Sequence, residues 1–114
     1  MALKAAFIFV AEGADPKVHR ASVKTPSLEL TTVGVCNFAE AESVAKELVK
    51  EGVAAIELCG GFGHEGVARI AKATRGKAAV GVVRFDSHPG LEASAAKAAT
   101  KCFLKEGLKS ACLK

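Results

Sequence analysis

The chain has 114 residues, half of them apolar but only six aromatic, and 16 basic against 12 acidic residues give a formal charge of +4. That length suits one domain with a single core. The charge is lopsided: residues 1–90 hold 11 basic and 10 acidic residues, while residues 91–114 hold five lysines and two glutamates. The body is therefore near neutral, and with arginine scarce and the aromatics lying in core-like runs, the composition argues against nucleic acid as a partner.

In chain order, the first predicted element is a strand over Ala5 to Ala11. Phe7, Ile8, Phe9 and Val10 form an unbroken apolar run, which fits a central strand covered on both faces. The run ends too soon for a membrane span, and no convincing signal-peptide cleavage region follows it. Asp15 can cap a helix whose first position is Pro16. This predicts a short helix over Pro16 to Ser22, carrying His19 and Arg20 and ended by Thr25-Pro26-Ser27. Leu28 to Cys36 reads as the second strand, with Gly34 inside it and Asn37 at its end. Phe38 to Glu51 has helical period, with Ala41, Val44, Ala45 and Leu48-Val49 on one stripe, and Gly52 stops it.

Val53 to Leu58 is the third strand, interrupted by Glu57. A glycine loop, Cys59 to Gly66, leads into a second amphipathic helix marked by Val67, Ile70, Ala71 and Ala73-Thr74 and stopped by Gly76. Ala78 to Val83 is the fourth strand, followed by a polar turn, Arg84 to Gly90. A last helix is predicted from Glu92 to Lys105. Lys97, Lys101 and Lys105 share one face, which reads as solvated or as a contact for an acidic partner; Ala95, Ala98, Ala99, Cys102 and Phe103 line the other.

Four rounds of strand and helix predict one α/β domain over residues 1–114, with about four mostly parallel strands and right-handed crossovers. The alternative is an α+β, ferredoxin-like arrangement, if the second strand turns antiparallel. Few strands and an apolar surface on a small domain favour a homo-oligomer. Cys36, Cys59, Cys102 and Cys112 are widely spaced and form no CxxC pair. This points to reduced thiols in the cytoplasm rather than to structural zinc or a dithiol centre.

Ligands of parallel sheets bind beyond the carboxyl ends of the strands. That rule gathers His19 and Arg20, Glu57, Cys59 and His64, and Arg84, Asp86 and His88 on one rim. Small core side chains leave little room for a large internal cavity, so a ligand is expected on this rim or between subunits. The sharpest local pattern is Gly61-Phe62-Gly63-His64-Glu65-Gly66, a G-x-G-x-x-G between strand and helix, with Asp86 at the end of the next strand. In dinucleotide binding, Gly61 would make the turn, Gly63 would admit a pyrophosphate, Gly66 would pack the helix and Asp86 would hold a ribose. The extra Cys59-Gly60 and the acidic Glu65 in the first helical turn count against that use. A simpler anion held by amides of Gly60 to Gly66 is the broader reading.

Cys59 near a helix start can serve as a thiolate nucleophile with His64 or His88, or simply pack. Asp86 with His88 has an unspecific D-x-H spacing, so no metal site and no cofactor is assigned. Arg84 and Arg20 have the planar fork that clamps a carboxylate or phosphate; Arg84 can equally pair with Asp86 or Glu57 and brace the loop.

FIFVAEGADPKVHR, KTPSLELTTVGV, VAKELVKEGVAAIELCGGFGHEG and VGVVRFDSHPGLE resemble a small prokaryotic family of domains of unknown function, over roughly Ala5 to Glu92. The resemblance implies a stand-alone domain and brings no activity with it. The sequence thus points to a protein or small enzyme that binds an anionic metabolite, with His64, His88 or Asp86 moving protons. The competing readings are a structural or assembly protein and a nucleotide binder acting through Gly61 to Gly66.

Overall fold

The computed structural model describes residues 2–86. The predicted helix over Glu92 to Lys105, its lysine face and His88 lie outside the described residues. Five strands form one mixed sheet: β1 (Leu3–Val10), β2 (Arg20–Lys24), β3 (Leu28–Val35), β4 (Ala55–Leu58) and β5 (Ala79–Val82), ordered β2-β3-β1-β4-β5. β1, β3, β4 and β5 are parallel, and β2 runs antiparallel to β3 at one edge. Two helices, α1 (Phe38–Lys50) and α2 (Gly63–Thr74), make the crossovers to β4 and β5. The fold is α/β. The ferredoxin-like alternative required the strand at Leu28 to turn, and that strand instead pairs parallel with β1 from Leu3↔Leu28 to Val10↔Val35.

The helix expected over Pro16 to Ser22 is replaced by a single turn and a strand. Asp15 does start a turn: its carboxylate accepts from the Lys17 N–H at 2.9 Å, and its carbonyl accepts from the His19 N–H at 2.7 Å. The His19 carbonyl then accepts from the Gly34 N–H at 2.8 Å, and Arg20 to Lys24 pair with Val33 to Glu29. A helix of two turns is marginal by itself, because the nucleus is costly and few bonds follow it. Edge pairing satisfies the same amides, and Ser22 and Thr31 add a hydroxyl–hydroxyl bond at 2.9 Å.

α1 begins as its sequence predicts. Asn37 caps it by accepting from the Glu40 N–H at 2.8 Å, and Glu40 reaches back to accept from the Cys36 N–H at 2.7 Å. The first bond satisfies an amide that a helix start leaves without a partner, and the second ties the residue before the cap to the first turn. α2 ends with Arg75 in the left-handed region at φ 52°, followed by Gly76 at φ 76°.

Both helices pack on the same face of the sheet. Ala6 and Ile8 of β1, Val33 and Val35 of β3, and Ile56 and Leu58 of β4 form one core with Phe38, Ala41, Val44, Ala45 and Leu48 of α1 and Ile70 of α2. Strand residues alternate between faces, so Leu3, Ala5, Phe7 and Phe9 of β1, with Leu28 and Leu30 of β3 and Val23 of β2, belong to the other face. There Phe7, Phe9, Leu28 and Leu30 are half-buried, and Leu3 and Val23 are 50% and 64% exposed. The expectation that β1 is covered on both faces holds for the helix side and not, among the described residues, for the other.

Candidate functional site

Parallel β1, β3, β4 and β5 put their carboxyl ends on one rim, and antiparallel β2 starts there. The register draws a row across the sheet: Arg20, Val33, Ile8, Leu58 and Val82 are successive Cα partners. Four inter-strand steps of about 4.8 Å place Arg20 about 19 Å from Val82. Among the described residues, the predicted ones at the rim therefore divide into two groups, His19 and Arg20 at one end and Cys59, His64, Arg84 and Asp86 toward the other.

The first group surrounds β2. The Asp15 N–H donates to His19 Nδ1 at 2.8 Å, which leaves Nε2 as the ring's outward nitrogen. Arg20 points to the helix face, where its Nε donates to the Pro16 carbonyl at 2.8 Å and its terminal nitrogen lies 3.3 Å from the Glu47 carboxylate of α1. These bonds brace the turn against α1.

The second group lies where β4 and β5 end side by side. The Val83 N–H donates to the Leu58 carbonyl at 2.8 Å, extending the pairing beyond both strands. Cys59 follows, half-buried, and its Sγ accepts from the Val10 N–H at 3.5 Å. Gly60 to Phe62 form a 3-10 turn that leads into α2. A Cβ on Gly60 would stand 3.1 Å from the Phe85 ring, so the segment after β5 folds against the glycine turn. Gly63 has φ 64° with open space around it, where a side chain would be strained by the backbone alone. Gly66 is a packing glycine: a Cβ there would lie 3.0 Å from atoms of both Phe38 and Phe62. Those rings stack at 5.5 Å, and Phe62 is buried.

His64 is exposed and has no hydrogen bond among the described residues, so it is not joined to Cys59. Arg84 pairs with Asp86: Nε donates to Oδ1 at 3.0 Å, and the terminal nitrogen lies 2.8 Å from the same oxygen. Both side chains are more than four-fifths exposed, at 86% and 84%. Glu57 stands away from both groups, exposed on the open face between Phe7 of β1 and Gly81 of β5. Among the described residues no three His, Cys, Asp or Glu side chains gather to hold a metal ion. No helix there is long and apolar enough to cross a membrane.

A cleft that the sequence reading missed opens between α1 and α2, with a volume of about 400 Å³ and a lining of Glu42, Lys46, Arg69, Lys72, Ala73 and Arg75. Its signal was present as basic residues three apart on α2. Their meaning depends on which helix lies alongside, and that follows from the sheet order.

A model of a family described as "Family of unknown function (DUF6506)" matches residues 3–98. No curated protein and no solved structure matches the chain.

Proposed function

This chain belongs to that family of unknown function, so its chemistry has to come from its own residues, and we propose that it binds a small anionic metabolite at the adjoining ends of β4 and β5. The observation that carries this reading is that the glycine turn and the N-terminus of α2 follow β4, while the segment after neighbouring parallel β5, which holds exposed Arg84, folds back so that Phe85 packs against Gly60. Such strand ends are where α/β sheets take their ligands, and helix-start amides with an arginine fork suit a carboxylate or phosphate. An entering anion displaces Asp86 from Arg84, an exchange that an exposed ion pair permits readily. Exposed His64 is the proton carrier if the site is catalytic, and Cys59 acts mainly through packing, since β1 engages its sulfur. His19 and Arg20 lie too far along the rim to share this ligand. The thiols of Cys36 and Cys59 suit a cytoplasmic setting.

The test is a thermal-shift screen with phosphate, nucleotides, keto acids and divalent metals, because a ligand of the native state raises its stability. A stabilising anion whose effect vanishes in Arg84→Ala and weakens in His64→Ala supports the reading. No stabilisation from any class defeats it, and so does stabilisation that Arg84→Ala leaves intact in a chain whose α1–α2 cleft carries Lys72→Glu and Arg75→Glu. Preference for a nucleotide over its free phosphate would select the fingerprint reading, with Asp86 on the ribose.

A second reading, a structural protein that assembles with copies of itself, rests on the open sheet face. Phe7, Phe9, Leu28, Leu30, Leu3 and Val23 form an apolar surface whose central rows carry Glu57 as their one charged side chain among the described residues. A second copy laid face to face would bury it, as in packed sheets.

A further inference from the structure

We propose that the cleft between α1 and α2 is a second anion site, taking a small molecule that carries two or more phosphate groups. Both helices start at the rim and run away from it, so the cleft lies along their middle and far halves, apart from the glycine turn. Its volume of about 400 Å³ falls in the range of small-molecule pockets. Four cations, Lys46 from α1, Arg69 and Lys72 from α2 and Arg75 just past its end, line the cleft with one carboxylate, Glu42.

That carboxylate is already engaged. Arg69 Nε donates to it, and the Arg69 guanidinium also lies 5.6 Å above the Phe38 ring, so the Arg69–Glu42 pair forms a fixed floor. The side chains of Lys46, Lys72 and Arg75 have no hydrogen bond or ion pair among the described residues. Like charges kept close without counter-ions repel one another, and an anion placed between them removes that cost.

Arg75 adds a further sign. It is the one non-glycine residue with positive φ among the described residues, and it occupies a helix-end conformation that glycine usually takes. Glycine follows immediately at 76, so the helix could have been ended without placing an arginine in the strained position. The arrangement fits a guanidinium set at the mouth of the cleft, where its fork can grip a phosphate while the lysines act as mobile point charges. Several cations at this spacing favour a ligand with more than one anionic group over a single phosphate. The cleft lining carries no exposed aromatic for stacking bases, which favours a compact polyphosphate over a nucleic-acid strand.

The experiment is calorimetric titration of the full chain with inorganic tripolyphosphate, beside orthophosphate and a single-stranded DNA oligonucleotide, at low and physiological salt. Tripolyphosphate is expected to bind at least tenfold more tightly than orthophosphate and to weaken as salt rises. Lys72→Glu with Arg75→Glu is expected to weaken it tenfold or more, and Lys46→Glu to weaken it independently from the other helix. Lys17→Glu with Lys24→Glu removes the same total charge away from the cleft and is expected to leave it within twofold. Equal loss in the two charge-matched doubles, or retention in both Lys46→Glu and the Lys72/Arg75 double, would overturn the proposal. Tighter binding of DNA than of tripolyphosphate would overturn it too. Circular dichroism on each variant establishes that a loss reflects the site and not the fold.

Discussion

Gly66 of α2 sits against the Phe38 ring of α1 so closely that a Cβ on it would stand 3.0 Å from two ring carbons, with a ring carbon of Phe62 equally near. The third glycine of the G-x-G-x-x-G pattern is thereby explained by packing, with or without a nucleotide. Phe38 and Phe62 are 2% and 1% exposed and stacked, so neither ring can swing away. Two effects compete in Gly66→Ala. Helix propensity favours alanine by about 1 kcal/mol, and overpacking costs about 1–3 kcal/mol. With both rings confined, the clash wins, and a net loss of about 1 kcal/mol is expected. Gly66→Val should lose about 2–3 kcal/mol. Urea denaturation decides it, and an alanine variant more stable than the parent would show that the rings yield.

Asn37 offers a cleaner local test. It is 9% exposed, and its side-chain oxygen accepts from the Glu40 N–H at 2.8 Å. Asn37→Ala leaves that amide without its partner and is expected to cost about 1 kcal/mol. Asn37→Asp keeps an acceptor in place beside the positive end of the helix and should stay within about 0.5 kcal/mol of the parent. Equal losses in the two variants would assign the effect to packing around Asn37 instead of to the cap.

How far the sequence could be read follows from the range of the interactions involved. α1 is encoded locally, by a cap, a stripe and a stop at Gly52 with φ 98°, so its bounds were legible almost to the residue. β2 was not, because Asp15-Pro16 gives a true start signal and the turn it starts is real. What cancels the helix is Gly34, whose amide takes the His19 carbonyl, and nothing near residue 20 announces that partner. The shared rim was legible once the strands were taken as parallel. Its division was not, since strand order places Arg20 at one edge and β5 at the other. The basic cleft needed still more: Glu42 and Arg69, 27 residues apart, meet only when α1 and α2 lie side by side.

The open sheet face makes a prediction about mass. Val23 and Leu30 are cross-strand partners on that face, Val23 being 64% exposed. A second copy covering them would give a dimer in sedimentation at micromolar concentration. Val23→Lys would then return it to monomer with the circular dichroism spectrum unchanged, because edge positions tolerate lysine. A parent chain that sediments as a monomer across the concentration range removes the assembly reading.

Asp86 separates the two ligand readings of the rim by the sign of its effect. Its carboxylate lies 2.8 Å from a terminal nitrogen of Arg84, so in the anion reading it competes with the ligand for the guanidinium. Asp86→Asn removes the competing charge, and binding of a simple anion should tighten by up to about fivefold, the range of an exposed ion pair. Arg84→Ala should abolish that binding. Because both side chains are exposed, neither substitution should move the urea midpoint by more than a surface change does, about 0.5 kcal/mol. In the nucleotide reading Asp86 instead contacts a ribose hydroxyl, and Asp86→Asn weakens nucleotide binding. Titrating the two variants with phosphate and with a nucleotide therefore gives opposite signs for the two mechanisms. Unchanged affinity in Asp86→Asn together with loss in Arg84→Ala would mean that the pair opens at no cost and that Asp86 takes no part in either.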